Sequence, residues 1–380
     1  MKFSRSLKIA TVGAFAAALA IAPIANAAVL KAAGATSVAG LIDACKAEYQ
    51  AATGDSFDYP GGGSGAGKTA MQNKTVDFAF SDSVHATPVA NEIHIPTVIW
   101  PVAILTNLNT AKPLNLSRET VAGIFAGKIT RWNDPAIVAD NNKTVTTPVY
   151  RKDSKGDVMK DSKGSPIVLR INTSNITRTM PNQPITVIYR ADNSGTSNNL
   201  SRALNKAVPS VWTKNPADSF AAAFPGDITA DPVHFRAAAG SAGVSQLAAK
   251  TKYSITYAEV SFAATYHLQL SNIINAAGNS ITPSSDSALA AAAQATVNAD
   301  GTVVFDYNTK DSDSYPFTAT TYALALTNYG DTAKAAEVKK TIAFIGFNCP
   351  GLHPNLGFAV TTHSSAFGIK LDTQLAKLGS

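Results

Sequence analysis

A chain of 380 residues, 45% hydrophobic and 15% charged, is long enough for two ordinary domains and too apolar to be disordered. Its formal charge of +6 falls to about +3 once the three cations at its start are set aside. No Lys/Arg cluster interleaved with aromatics occurs, so no nucleic-acid partner is implied or expected, and the mild positive excess suits the steering of a small anion.

The first residues read as an export signal. Lys2, Arg5 and Lys8 form a basic start, residues 10–24 an apolar core, and Ala25-Asn26-Ala27 a small-residue cleavage site. Residues 1–27 are therefore expected to be removed, leaving a periplasmic or secreted protein. No cysteine directly follows the cleavage site, where Ala28 stands, which argues against a lipid anchor, and no later run is long and apolar enough to span a bilayer. The two cysteines, Cys45 and Cys349, are either a disulfide stapling the chain's beginning to its end, which export permits, or two separate buried thiols.

After cleavage, residues 29–33 read as a strand that turns through Gly34-Ala35-Thr36-Ser37 into a helix carrying Val38, Leu41, Ile42, Cys45 and Tyr49 at helical spacing. A strand over 56–59 leads into Gly61-Gly62-Gly63-Ser64-Gly65-Ala66-Gly67-Lys68-Thr69. From Gly62 to Thr69 this satisfies the P-loop pattern. Export to a compartment without ATP, Pro60 at the loop's entry, and the lack of a partner aspartate ending a long apolar strand weigh against a nucleotide site. The loop is read as one that cradles an oxyanion without nucleotide machinery, with Ser64 opening a helix. Residues 75–80 alternate as a strand and deliver Ser81-Asp82-Ser83 to a turn. Residues 95–107 are one or two buried strands, and the polar stretch 107–115 is a candidate crossing to a second domain.

Residues 117–126 form a helix capped by Ser117. Near 143–180, Lys152-Asp153-Ser154-Lys155-Gly156 recurs as Lys160-Asp161-Ser162-Lys163-Gly164, two turn tips of a surface hairpin insertion without the ligand spacing of a calcium loop. Residues 185–189 then read as a strand, followed by Arg190-Ala191-Asp192-Asn193-Ser194-Gly195-Thr196 and a helix with Leu200, Ala203 and Leu204 on one face. Strand, tight turn and helix N-terminus make an anion-binding arrangement. Free N–H groups and the helix dipole favour negative charge, Ser194 and Thr196 add hydroxyl donors, Gly195 admits close approach, and Arg190 offers a planar fork. Gly240-Ser241-Ala242-Gly243 is a further small-residue turn before a helix, residues 254–260 a strand, and 275–285 a candidate return crossing. A helix (288–297), a hairpin at Asp300-Gly301, a strand (320–326) and two helices complete the chain. Short strands alternating with helices make an α/β protein, whose ligands sit at strand carboxyl ends. The six histidines, His85 and His94 among them, show no metal spacing.

With these motifs assembled, the sequence resembles the periplasmic phosphate-binding proteins of ABC phosphate importers (Pst type). Residues 34–36, 61–67, 76–82 and 190–196 carry the resemblance, together with Phe125-Ala126-Gly127-Lys128-Ile129-Thr130-Arg131-Trp132-Asn133-Asp134 between them. The resemblance implies a two-domain periplasmic-binding-protein fold of type II, with mixed sheets flanked by helices and a ligand cleft between the domains. Residues 28–108 and 280–380 would form one domain and 109–279 the other, which favours a Cys45–Cys349 disulfide.

It also implies phosphate ligands at Thr36, Ser37, Ser64, Asp82, Arg190, Ser194, Gly195 and Thr196, supported by Asp192, Gly63 and Gly65, with no metal, cofactor or catalytic residue. Two positions depart from the family pattern: Ser37-Val38 replaces Phe-Pro, and Gly65 replaces a second serine. The function implied is capture of inorganic phosphate by a monomer that closes like a hinge and delivers the ion to a membrane permease. Asp82 would accept a hydrogen bond from a protonated phosphate and repel sulfate. The rival readings are a secreted or surface phosphate binder with a scavenging or structural role, a different oxyanion such as molybdate or arsenate, and a P-loop NTPase or phosphatase.

Overall fold

The computed structural model describes residues 29–108, 110, 112–162 and 165–379; residues 1–27, expected to be an export signal, lie outside the described residues. Two five-stranded mixed sheets carry the fold. The first is built from β1 (Leu30–Gly34), β2 (Phe57–Asp58), β3 (Phe78–Ser81) and β4 (Glu92–Pro101). The second takes β5 (Ala103–Thr106), β6 (Thr186–Arg190), β7 (Phe235–Ala238), β8 (Ser254–Ala258) and β9 (Gln269–Leu270), and the chain then returns to the first sheet as β10 (Thr318–Leu326). The strand orders are β2-β1-β3-β10-β4 and β7-β6-β8-β5-β9.

Each sheet has the same plan. Three strands run parallel, β2-β1-β3 in the first and β7-β6-β8 in the second, and two antiparallel strands complete it. The apolar run expected over 95–107 is therefore two strands in different sheets. The switch is at Val102, whose N–H donates to Phe317 O at 2.7 Å, so the outgoing and returning segments are bonded where they change sheet. A small third sheet, 115–117 with 272–274 and 280–281, lies on the return path.

The helices that matter for the site follow directly from parallel strands. Helix α1 (Ala39–Thr53) follows β1, α2 (Ser64–Gln72) follows β2, α3 (Gly195–Ala207) follows β6, and α4 (Gly240–Lys250) follows β7. α1 buries Leu41, Ile42, Cys45 and Tyr49, the stripe read from the sequence, and stops where Gly54 takes a left-handed φ of 77°. Burial of each large apolar side chain in such a stripe stabilises the fold by about 1.5–3 kcal/mol. Cys45 of α1 is bonded to Cys349 (S–S 2.00 Å), which ties α1 to the end of α5 (Thr332–Phe347). Trp212, Phe220, Phe125 and Tyr257 pack edge-on or stacked as an aromatic cluster on the second sheet, to which Tyr257 belongs.

The insertion is a hairpin of 143–150 paired with 168–176. Its first tip is closed by Asp153, whose Oδ1 accepts from the N–H groups of Lys155 and Asp157 at 2.9 and 3.0 Å; Asp161 accepts from Ser165 N–H at 2.9 Å in the second. Lys163 and Gly164 of the repeat lie outside the described residues. Among the described residues no helix is long and apolar enough to cross a membrane, and no His/Cys/Asp/Glu group is placed to hold a metal ion.

Candidate functional site

Parallel strands all end on the same side of their sheet, and here the ends of both sheets meet. β1 ends at Gly34 before Thr36, β3 at Ser81 before Asp82, β6 at Arg190, β7 at Ala238 before Gly240, and β8 at Ala258 before Glu259. Three helix N-termini, those of α1, α2 and α3, open at the same place. The backbone N–H groups of Ser37, Ser64, Gly195 and Thr196 meet no acceptor among the described residues. Such free N–H groups, with the positive ends of their helix dipoles, form an anion site.

Asp82 is the hub and is 2% exposed. Its Oδ1 accepts from Ser37 Oγ and Thr321 Oγ1, both at 2.7 Å, while Oδ2 receives one long contact of 3.4 Å from Thr196 Oγ1. Thr321 in turn accepts from Trp100 Nε1 at 2.9 Å, which leaves the threonine proton to Asp82. Burial raises the Asp82 pKa, and the donations from Thr321 and Ser37 and the Arg190 charge oppose that rise. Its backbone N–H donates to Ser64 Oγ at 3.1 Å, and its carbonyl accepts from Asn199 Nδ2 at 2.5 Å. Ser64 and Ser194 both use their oxygens to accept backbone N–H groups, from Asp82 and from Ser197, so each keeps its proton for an anion.

Arg190 is held as firmly. Its Nε donates to Asp192 Oδ1 at 2.7 Å and Nη2 donates to Asp192 Oδ2, while Nη1 reaches Ser241 Oγ at 3.3 Å. Burial works against the guanidinium charge, but the Asp192 hydrogen bonds and charge outweigh it and the Arg190 pKa rises. Burial likewise opposes the charge of Asp192, and Arg190 outweighs it to lower that pKa. Asp192 Oδ1 also accepts from Gly240 N–H at 2.9 Å, and Tyr257 Oη accepts from Arg190 N–H at 3.1 Å.

Loops that follow strands of the two different sheets touch through glycine. A Cβ on Gly195 would stand 2.5 Å from Ser64 Oγ and 2.7 Å from Asp82 Cβ, and one on Gly63, at φ 95°, would strike Asp192 Oδ2 at 2.5 Å. Gly65 N–H donates to Asn193 O at 2.9 Å, and a side chain there would meet Asn193 Cβ. The glycine that replaces the family's serine is thus required by the packing of the two loops. Thr36 Oγ1 crosses the same gap, 3.2 Å from both the N–H and the Oγ of Ser241.

All eleven residues expected at the site, Thr36, Ser37, Gly63, Ser64, Gly65, Asp82, Arg190, Asp192, Ser194, Gly195 and Thr196, lie in this one convergence. The Ser37 hydroxyl is committed to Asp82, which leaves its backbone N–H, the contact the resemblance implies at that place, without an acceptor among the described residues.

Sequence reasoning missed four participants. Thr321 lies inside an apolar strand. Asn199 braces the Asp82 turn from α3, and Ser241 links Arg190 to Thr36. Glu259 accepts from Ser241 Oγ at 3.1 Å, while its Oε2 is buried without a hydrogen-bond partner among the described residues. Burial, reinforced by the Asp82 charge, pushes Glu259 up to about 7. The turn at 240–243 was legible as a strand–turn–helix unit, and extending the oxyanion argument to it would have found Ser241. The lysine of the P-loop pattern does something else. Lys68 Nζ pairs with Asp218 Oδ2 at 2.8 Å, and Asp218 Oδ1 accepts from Ser83 Oγ at 2.7 Å and Asn198 Nδ2 at 2.9 Å, a second bond set across the gap.

Known proteins share this architecture. Residues 22–346 match the model of the PBP superfamily domain. The chain is 31% identical over 343 residues to phosphate-binding protein PstS 3 of Mycobacterium tuberculosis, covering 86% of this chain and 81% of that one. It is 29% identical over 322 residues to phosphate-binding protein PstS of Xylella fastidiosa, covering 82% and 75%. Among solved structures, the high-affinity periplasmic phosphate-binding protein PfluDING superposes with a TM-score of 0.65 at 21% identity, over 92% of this chain and 93% of that one. A phosphate-binding protein of Stenotrophomonas maltophilia gives 0.61 at 20% identity, over 93% and 95%.

Proposed function

Because the chain belongs to the PstS phosphate-binding proteins of the PBP superfamily, we propose that it captures inorganic phosphate at the convergence around Asp82 and Arg190 and delivers it to an ABC-type permease. The observation that carries this reading is the pairing of opposite chemistries at one buried point. Free helix N–H groups, two serine protons and a guanidinium all donate, and they surround a carboxylate that can only accept. Donors alone would take any small oxyanion. An acceptor among them favours one that still carries a proton, which phosphate does near neutral pH and sulfate does not. Several charge-assisted bonds of about 1.5–3 kcal/mol each support tight binding after the entropy of capture.

The proposed ligand set is Thr36, Ser37, Ser64, Asp82, Arg190, Ser194, Gly195 and Thr196, with Asp192 orienting Arg190 and with Gly63 and Gly65 allowing the loops to meet. The proposed lobes are 28–108 with 280–380, and 109–279, the strand at 103–106 being lent to the second sheet. Closure is a hinge motion about the bonded segments at Val102 and Phe317, latched by Lys68, Ser83 and Asp218. The protein acts after export, as a monomer, and does no chemistry on its ligand. Lys68, engaged with Asp218, is not poised over a nucleotide phosphate. A thermal-shift panel of oxyanions on the mature chain tests the ligand, with phosphate and arsenate expected to stabilise and sulfate and molybdate not. Phosphate uptake by a deletion strain tests the transport role; unimpaired uptake, with binding intact, would leave a scavenging or structural role instead.

A further inference from the structure

β10 and the turn at Asp82 wall the anion site on one side, and behind that wall is a second cavity of about 340 Å³. Strand alternation explains its separateness. Thr321 turns toward Asp82, so its neighbours Thr320 and Tyr322 face the opposite way and line the cavity. The remaining walls come from both lobes: Asn199, Arg202 and Lys206 of α3 on one side, Phe305 and Tyr307 on the other.

Its chemistry is that of an amphipathic anion site. Arg202 makes one hydrogen bond, Nη2 to Asn198 Oδ1 at 2.8 Å, and neither it nor Lys206 has a carboxylate partner among the described residues. Neither lining carboxylate forms an ion pair with them among the described residues: Asp82 turns Oδ1 to Ser37 and Thr321, and Asp306 accepts from Asn308 N–H at 2.9 Å in its own turn. Thr320 Oγ1 is buried in the wall with no hydrogen-bond partner among the described residues. The volume, about ten waters' worth, suits a small organic molecule.

We propose that this cavity is a second ligand site for a small organic monocarboxylate with an aromatic or branched apolar body, its carboxylate on Arg202 and Lys206 and its body against Phe305, Tyr307 and Tyr322. The site also reads the closed form. Asn199, which lines it, donates to Asp82 O and to Gly195 O at 2.5 and 2.9 Å, so an occupant packed between α3 and β10 holds the same arrangement that closes the anion site. Coupling is reciprocal: each ligand tightens the other.

The test is calorimetric titration of the mature chain with phenylacetate, without phosphate and with phosphate at saturation. Saturable binding is expected in both, at least threefold tighter with phosphate. Phenylacetamide, which keeps the body and loses the charge, should bind at least tenfold more weakly. Arg202→Met and, separately, the solvent-facing Lys206→Met should each weaken phenylacetate at least fivefold and leave phosphate titration in its absence within twofold. No saturable phenylacetate binding, equal binding of the amide, or competition between phenylacetate and phosphate would each overturn the proposal. The phosphate-free arm reads the cavity even if the anion site binds something other than phosphate.

Discussion

Replacing Asp82 by asparagine probes the buried carboxylate at the hub of the site's donors. Ser37 and Thr321 both donate to Oδ1 at 2.7 Å, so in the variant they hold the amide oxygen at that position. The amide NH₂ then falls where Oδ2 stood, the oxygen that among the described residues accepts a single long hydrogen bond, 3.4 Å from Thr196. A group that could only accept becomes one that donates. Phosphate loses a charge-assisted hydrogen bond of about 1.5–3 kcal/mol, and sulfate exchanges repulsion for a new donor. The phosphate-to-sulfate affinity ratio should therefore fall by about 10- to 150-fold at neutral pH, with the melting temperature little changed. Wild-type protein should move the same way as pH falls, because burial raises the Asp82 pKa and its protonated form also donates. Calorimetric titration of both anions into wild type and variant measures the ratio directly. An unchanged ratio in a folded variant would refute the role given to Asp82.

Gly195→Ala should abolish measurable phosphate binding while leaving the fold intact, since its Cβ would stand 2.5 Å from Ser64 Oγ only when the lobes meet; circular dichroism and calorimetry separate the two effects. Asp218→Ala removes the acceptor shared by Lys68, Ser83 and Asn198, and a partly buried pair of this kind is worth about 1–2 kcal/mol. Stopped-flow dissociation should be about 5- to 30-fold faster, with Lys68→Ala showing a smaller effect in the same direction. Glu259 has a folded pKa of about 7, above its ordinary 4.5, so the folded state holds more protons than the unfolded state between those values. Its contribution to stability is fully present below about 4.5 and is lost as pH rises toward 7, on the order of 3 kcal/mol across that window. Denaturant midpoints of Glu259→Gln should be correspondingly less dependent on pH over that range than those of wild type.

The parts of this site that were legible in the sequence are those where chemistry and backbone punctuation coincide. Asp82 follows an alternating strand and opens a Ser-Asp-Ser turn, and Arg190 ends an apolar strand before a hydroxyl-rich helix start. Either reads as a polar group delivered to a strand end. Thr321 gave no such sign because β10 is buried along nearly all its length, so its apolar run does not reveal which face a threonine takes. The sheet change at Val102 was hidden for the same reason: β4 and β5 are almost wholly buried and read as one run. Glu259 sits just past a short buried strand, where a lone carboxylate looks like any turn residue until Ser241 is brought to it from another element. Lys68 shows the opposite case, and agrees with the reading that set a nucleotide site aside. A motif complete in sequence acquired a structural partner, Asp218, that no spacing rule connects to it. The two departures from the family pattern also became intelligible only in three dimensions, Ser37 as a donor to Asp82 and Gly65 as the residue that fits beneath Asn193.

The central claim is that backbone turns from both lobes build one buried pocket for a proton-bearing tetrahedral anion. Calorimetric titration of phosphate into the mature chain, stripped of bound anion by unfolding and refolding, tests it most directly. The account predicts a single site with a submicromolar to micromolar dissociation constant, unaffected by excess sulfate. Binding that is absent, or that sulfate abolishes at equal concentration, would contradict it.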